Sequence, residues 1–130
     1  MLDVCCAILI RDSKMMIVRR SPEMRLGGKW EFPGGKVDVG ESPEECIVRE
    51  IKEELLIDVR ILKALKPVFH SYQRGDIHLI PFIVELISSH EPQLTEHDAI
   101  AWVSLKEITG YDLAGADIPI LNQLENERFY

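Results

Sequence analysis

Glu50, Glu53 and Glu54 stand at i, i+3 and i+4. On a helix that spacing gathers three carboxylates within an arc of about 100°. Like charges so placed repel by roughly 0.2–0.5 kcal/mol per pair. The stripe becomes favourable when it faces a hard divalent cation, which takes carboxylate oxygens and can also hold a polyphosphate. The same residues could form the solvated face of a surface helix, so their surroundings must decide. Those surroundings are specific: Gly35, five residues, Glu41, seven residues, then Arg49-Glu50.

The helix beneath the stripe is announced by Ser42-Pro43-Glu44-Glu45. Ser is an N-cap, Pro suits the first helical position, and Glu three residues after the cap closes a capping box. Ile47, Val48, Ile51 and Leu55 supply an apolar stripe on the side away from the acids. Arg49 and Glu41 are expected to form a bidentate ion pair between loop and helix, a structural role. Pro33-Gly34-Gly35 reads either as a plain turn or as backbone that can approach a metal closely.

The segment GKVDVGESPEECIVREIKEELLI, Gly35 to Ile57, resembles the Nudix box, and the preceding Lys29-Trp30-Glu31-Phe32-Pro33-Gly34-Gly35 is similar to the MutT-like branch. The likeness extends more weakly over nearly the whole chain. One position departs, with Leu56 where the family usually has Gly. A left-handed helix C-cap is the natural use of that Gly. Leu would adopt that conformation at a cost of about 1–2 kcal/mol, which puts the helix end in doubt rather than the chemistry.

The resemblance implies a Mg2+-dependent pyrophosphohydrolase, with Mn2+ as a substitute, that converts a nucleoside triphosphate to monophosphate and pyrophosphate. It implies Glu53 and Glu54 as metal ligands, joined by a backbone carbonyl at Gly34 or Gly35. Glu50 is either a further ligand or the base that orients water; the three glutamates form the catalytic set. Arg20 and Phe32 are expected to meet the nucleotide, and Lys36 the phosphates, with Arg25 and Lys29 in adjoining segments. Glu96 is a candidate late-loop carboxylate. Asp117 bears on base choice: Leu113-Ala114-Gly115-Ala116-Asp117-Ile118-Pro119 resembles the tail of the cytidine-triphosphate-cleaving members, where oxidised-guanine enzymes carry Asn. An ionised Asp only accepts hydrogen bonds, which suits an exocyclic amino group. Asp117 also sits where the last helix needs an N-cap. Oxidised purines such as 8-oxo-dGTP and modified cytidine triphosphates both remain open as substrates. The alternatives are a hydrolase of nucleoside diphosphate sugars and a catalytically silent nucleotide-binding module. Retention of every box acid favours the enzyme.

Composition bounds these readings. The 130 residues form one domain, residues 1–130, with 46% hydrophobic and 28% charged residues. A formal net charge of −7 excludes an ordinary nucleic-acid polymer binder. The partner is a small nucleotide; no membrane is involved, and the chain is a monomer or homodimer. Cys5, Cys6 and Cys46 lack metal-ligand spacing and read as buried reduced thiols of a cytoplasmic protein. His70, His78, His90 and His97 share no ligand spacing and read as surface or loop residues.

The elements that must position the site follow from pattern. Val4–Arg11 and Met15–Arg20 flank the hairpin signal Asp12-Ser13-Lys14, and Ser21–Gly28 is a loop. After the acidic helix come strands over Val59–Val68 and Ile77–Ile87, with Arg74-Gly75-Asp76 as the intervening turn. His90–Asp98 is loop-like and Ile100–Val103 a short strand. Ser104-Leu105-Lys106-Glu107 caps a brief helix, and a last helix runs from Ile118 to about Arg128 with Leu121 and Leu124 on its apolar side. Trp30 and Trp102 are core or groove wall. The class is α+β, and the Nudix resemblance sharpens it to a mixed β-sheet sandwiched between α-helices.

Overall fold

The computed structural model describes residues 1–127. Its elements in order are β1 (Leu2–Arg11), β2 (Lys14–Arg19), β3 (Trp30–Glu31), β4 (Gly34–Lys36), α1 (Pro43–Leu55), β5 (Val59–Ala64), β6 (Val68–Tyr72), β7 (Gly75–Leu86), β8 (Ala99–Val103), α2 (Leu105–Ile108), a 3-10 turn at Gly115–Asp117, and α3 (Ile118–Leu124). The sheet runs β3-β2-β1-β7-β5, with β4 also on β1, β6 on β7 and β8 on β2. β1 and β7 pair in parallel from Leu2↔Ile77 to Ile10↔Glu85, and the other pairings are antiparallel. The sheet is therefore mixed.

Strand alternation divides the core in two. Cys5, Ala7 and Leu9 of β1, with Met16 and Val18 of β2, pack against Cys46, Ile47, Ile51 and Leu55 of α1. Cys6 and Ile8, with Met15 and Ile17, face the opposite way onto Ile108, Ile120 and Leu124. One helix thus covers one face and the two C-terminal helices the other. The expected sandwich is what forms.

Several local expectations need correction. The β1–β2 turn has two residues: Asp12 and Ser13 both carry positive φ, as a type I′ hairpin requires, and Lys14 already pairs with Arg11. The strand expected over 59–68 ends at Ala64, with Pro67, which cannot donate to a ladder, in the break, and Val68 begins a separate strand that runs to Tyr72. β3 and β4 are too short to show a period. Val48 is 40% exposed, whereas Cys46 takes the buried place beside Ile47. The last helix ends at Leu124, and the expected end at Arg128 lies outside the described residues. Leu124 is buried and Leu121 only partly so.

The cysteine reading is also corrected. Cys5 and Cys46, 41 residues apart, form a disulfide between β1 and α1, leaving Cys6 as a free buried thiol. Helix and strand present these two side chains to the same layer, which no spacing in the sequence reveals. Among the described residues no helix is long and apolar enough to cross a membrane.

Leu56 keeps the left-handed conformation of the C-cap, at φ 56° and ψ 35°, and its N–H reaches the carbonyl of Lys52. The helix therefore ends as though Gly were present, at the strain cost of a side chain that is 42% exposed. Leu56→Gly is expected to stabilise the protein by about 0.5–1 kcal/mol, after the entropy of Gly in the unfolded chain is set against the relieved strain. Thermal denaturation should show Tm rising by roughly 2–5 °C; a fall would mean that the Leu56 side chain contributes more by contact than it loses in strain.

Candidate active site

α1 is anchored by both halves of its capping box: Glu45 N–H donates to Ser42 Oγ at 3.1 Å, and Ser42 N–H to Glu45 Oε1 at 2.9 Å. Arg49 then ties the helix to the loop before it. Its Nε and Nη2 donate to the two carboxylate oxygens of Glu41 at 2.6 and 2.9 Å, and Nη2 also reaches the carbonyl of Lys36 at 3.0 Å. The guanidinium holds the Glu41 carboxyl at about 2, well below 4.5, with help from the backbone at Asp38. The exit of β4 and the start of α1 are thereby held in one geometry.

Between them lies Gly34-Gly35. A Cβ on Gly34 would run into the carbonyl of Cys5 on β1, and a Cβ on Gly35 into the carboxylate of Glu50. At Gly34 only a residue without a side chain fits, and at Gly35 a side chain would displace the Glu50 carboxylate. Both disulfide sulfurs lie near the Gly35 carbonyl, Cys5 at 3.5 Å and Cys46 at 3.7 Å.

The three stripe carboxylates have different surroundings. Glu53 is 60% exposed and sits 3.3 Å from Arg49. Glu50 is largely covered and accepts from Arg49 Nη1 at 2.9 Å; burial raises its pKa while Arg49 lowers it. Glu54 is the most enclosed, and its Oε2 is buried without a partner among the described residues. Burial, then the negative charges of Glu50, Glu31 and Glu96, push its carboxyl from 4.5 up to about 9, partly offset by a hydrogen bond from the Gly34 backbone. Among the described residues no three or more His, Cys, Asp or Glu side chains are gathered in a group that could hold a metal ion as it stands.

A cleft of about 410 Å³ opens beside Glu54. Of the residues singled out from sequence, Arg20, Arg25, Phe32, Gly34, Gly35, Lys36, Glu54, Glu96 and Asp117 line it. Glu50 and Glu53 are not among its lining residues, and Lys29 turns away to pair with Asp112 at 2.8 Å. Trp30 and Trp102 do not line the cleft; Trp30 packs edge-on against Tyr111 and Trp102 lies under Arg11.

Asp117 corrects an expectation. It precedes α3 but makes no side-chain cap. Its carboxylate instead crosses to the Phe32 backbone N–H at 2.9 Å, 85 residues away in sequence, and is 5% exposed. Burial, then the negative charge of Glu31, lifts its pKa from 3.8 to about 8. That shift favours the protonated form, in which the carboxyl can donate as well as accept, whereas an ionised Asp only accepts.

Sequence reasoning missed Glu31, His97 and Tyr72, all of which line the cleft. Glu31 accepts from Arg20 Nη1 at 3.1 and 2.9 Å and lies 2.8 Å from His97 Nε2. His97, expected at the surface, has a side chain only 2% exposed. The loop carrying it is drawn inward because Thr95 Oγ1 caps the Glu53 and Glu54 carbonyls and Gln93 N–H caps that of Leu55. The available signals were the adjacency of His97 to Glu96 and of Glu31 to Phe32.

With this geometry in place, comparison decides the family. A model of the NUDIX domain matches residues 1–124. The chain belongs to the Nudix family. It is 37% identical over 127 residues to the CTP pyrophosphohydrolase of Escherichia coli K12, covering 93% of this chain and 89% of that protein. It is 30% identical to the 8-oxo-dGTP diphosphatase of the same strain, covering 88% of each. Among solved structures it matches the solution structure of the E. coli ORF135 protein with a TM-score of 0.82 at 34% identity, over 98% of this chain and 92% of that one. It is a Nudix hydrolase, an enzyme of phosphoanhydride bonds.

The raised Asp117 pKa has a signed consequence. A carboxyl whose folded pKa exceeds its unfolded value contributes stability that is present at low pH and lost as pH rises. For Asp117 the loss spans the window from 3.8 to about 8. Asp117→Asn cannot ionise and retains an acceptor for the Phe32 N–H. In urea denaturation with EDTA from about pH 5 to about pH 9, wild type should lose stability more steeply than the variant, by an amount on the order of a few kcal/mol. Parallel curves would show that Asp117 ionises normally in the fold.

Proposed function

We propose that this Nudix hydrolase is a Mg2+-dependent nucleoside triphosphate pyrophosphohydrolase of MutT-like type, releasing monophosphate and pyrophosphate and removing oxidised or otherwise non-standard nucleotides. The observation that carries the proposal is the unpartnered buried Oε2 of Glu54, placed beside the Gly34-Gly35 backbone in the cleft that also holds Asp117. A buried carboxylate oxygen without a donor, among like charges, is costly. A hard dication would remove that cost, and oxygen donors are what such an ion takes. The residues present therefore fit the ion.

Glu54, Glu50, Glu53 and the carbonyl of Gly35 would hold Mg2+, and Mn2+ could stand in. When bound, the ion supplies charge neutralisation on the phosphates and a more acidic water. The remaining work falls to the chain. Arg49 keeps Glu50 facing the Gly35 backbone, so the oxygen donors are already in place when substrate arrives. Arg20 and Lys36 meet phosphate oxygens from the cleft wall. Phe32, buried among core residues yet lining the cleft, offers an apolar surface to the base.

Asp117 reads the base. With Oδ2 engaged by the Phe32 N–H and a proton on the carboxyl, it presents a donor and an acceptor together, a pattern that complements a cytosine edge with its ring nitrogen and amino group. The relative named as a CTP pyrophosphohydrolase supports a cytidine preference, and the one named as an 8-oxo-dGTP diphosphatase keeps oxidised guanine in the panel.

Pyrophosphate release over CTP, dCTP, modified cytidine triphosphates, 8-oxo-dGTP and nucleoside diphosphate sugars, with Mg2+ or EDTA, tests the proposal. Activity on triphosphates should vanish with EDTA, and Glu54→Gln should lower kcat by about 10²-fold or more. Inertness toward every triphosphate at high enzyme would leave a binding module; turnover confined to the diphosphate sugars would reassign the substrate. Asp117→Ala, which removes donor and acceptor together, should erase a preference for cytidine, whereas Asp117→Asn, which keeps both, should preserve it; an unchanged order of substrates in Asp117→Ala would limit Asp117 to holding Phe32.

A further inference from the structure

Building on the nucleotide reading, we infer that His97 is a positioning residue for substrate binding, acting through Glu31 on Arg20. The three side chains come from separate places: the residue after β2, the second residue of β3, and the loop that caps the C-terminus of α1. His97 Nε2 lies 2.8 Å from Glu31 Oε2, and both Glu31 oxygens accept from Arg20 Nη1 at 3.1 and 2.9 Å. Arg20 Nε is held in turn by the carbonyl of Arg25. Glu31, as a carboxylate, can only accept, so the proton in this contact rides on Nε2 of His97.

A histidine serving only as packing would have both nitrogens satisfied or would not be polar at all. Here Nδ1 is buried, without a partner among the described residues, in a residue that lines the cleft. Arg20 is also costly to hold without this support. It is a long side chain with much rotamer entropy, and only 21% of it is exposed, a condition that demands fixed partners. Glu31 supplies them only while its own rotamer is fixed, and His97 is the other group that fixes it. Glu31 also acts electrostatically on both Glu54 and Asp117. A carboxylate free to swing would therefore disturb the metal-facing and base-facing residues together.

Binding can be read without turnover, by calorimetry with cytidine monophosphate in EDTA. His97→Leu fills the space without donating, and His97→Gln places an amide N–H at a reach comparable to Nε2. The Leu variant is expected to bind about tenfold more weakly, and the Gln variant to return to within about threefold of wild type. Because His97 acts through Arg20, the double variant Arg20→Ala/His97→Leu should bind no worse than Arg20→Ala alone.

Additive losses in the double variant would overturn the inference. So would a His97→Leu protein that binds like wild type while its Tm falls, which would make His97 a core plug. If wild type binds neither cytidine monophosphate nor any triphosphate of the panel, the nucleotide reading itself falls and this inference with it. Triphosphate turnover by wild type with normal binding by His97→Leu would sink only the role of His97.

Discussion

The site depends on a space too small for a side chain. β4 lies so close to β1 that Gly34 admits no Cβ, and a Cβ on Gly35 would push away the Glu50 carboxylate on the other side. Backbone carbonyl and carboxylates can therefore meet across a distance that any other residue would widen. Arg49 maintains this approach, because one guanidinium bonds Glu41, Glu50 and the Lys36 carbonyl at once. The capping box at Ser42 sets where α1 begins, and so sets which turn of it faces the glycines.

Concentrating acid here has an electrostatic cost, and the structure distributes it unevenly. Glu41 is stabilised as an anion by Arg49. Glu53 stays mostly in water, where its charge is screened. Glu54 and Asp117 bear the burden, both buried and both pushed to higher pKa by burial first and by neighbouring carboxylates second. They answer it differently. Glu54 retains an oxygen without a partner, which a cation can satisfy. Asp117 spends one oxygen on the Phe32 N–H and, like Glu54 when no cation is near, is driven toward the protonated form, in which it can also donate.

Glu31 links these two environments. It lies in a two-residue strand, holds Arg20, touches His97, and raises the pKa of both Glu54 and Asp117. A single charged group coupled to both regions gives the cleft one electrostatic balance rather than two independent ones. The loop that brings His97 inward is fixed by capping the last carbonyls of α1, so the helix that carries the acids also seats the histidine.

The local devices were legible in the sequence because they act over a few residues. The capping box and the spacing of the three glutamates are consequences of helix geometry, and the uninterrupted apolar run Val4–Ile10 suits a strand covered on both faces. What the fold alone decided involves partners far apart along the chain. Asp117 looks like a helix cap from its neighbours, yet its hydrogen bond goes to Phe32. Cys5 meets Cys46 and His97 meets Glu31 only because the sheet and α1 pack as they do. Leu56 breaks the expected Gly, and only tertiary structure could show that the left-handed turn survives it. Burial is likewise a property of packing, so no inspection of residue types could separate exposed Glu53 from enclosed Glu54 one position later. Sequence sets which groups share a helical face; the layers packed around that face set their solvation, and solvation sets their charge.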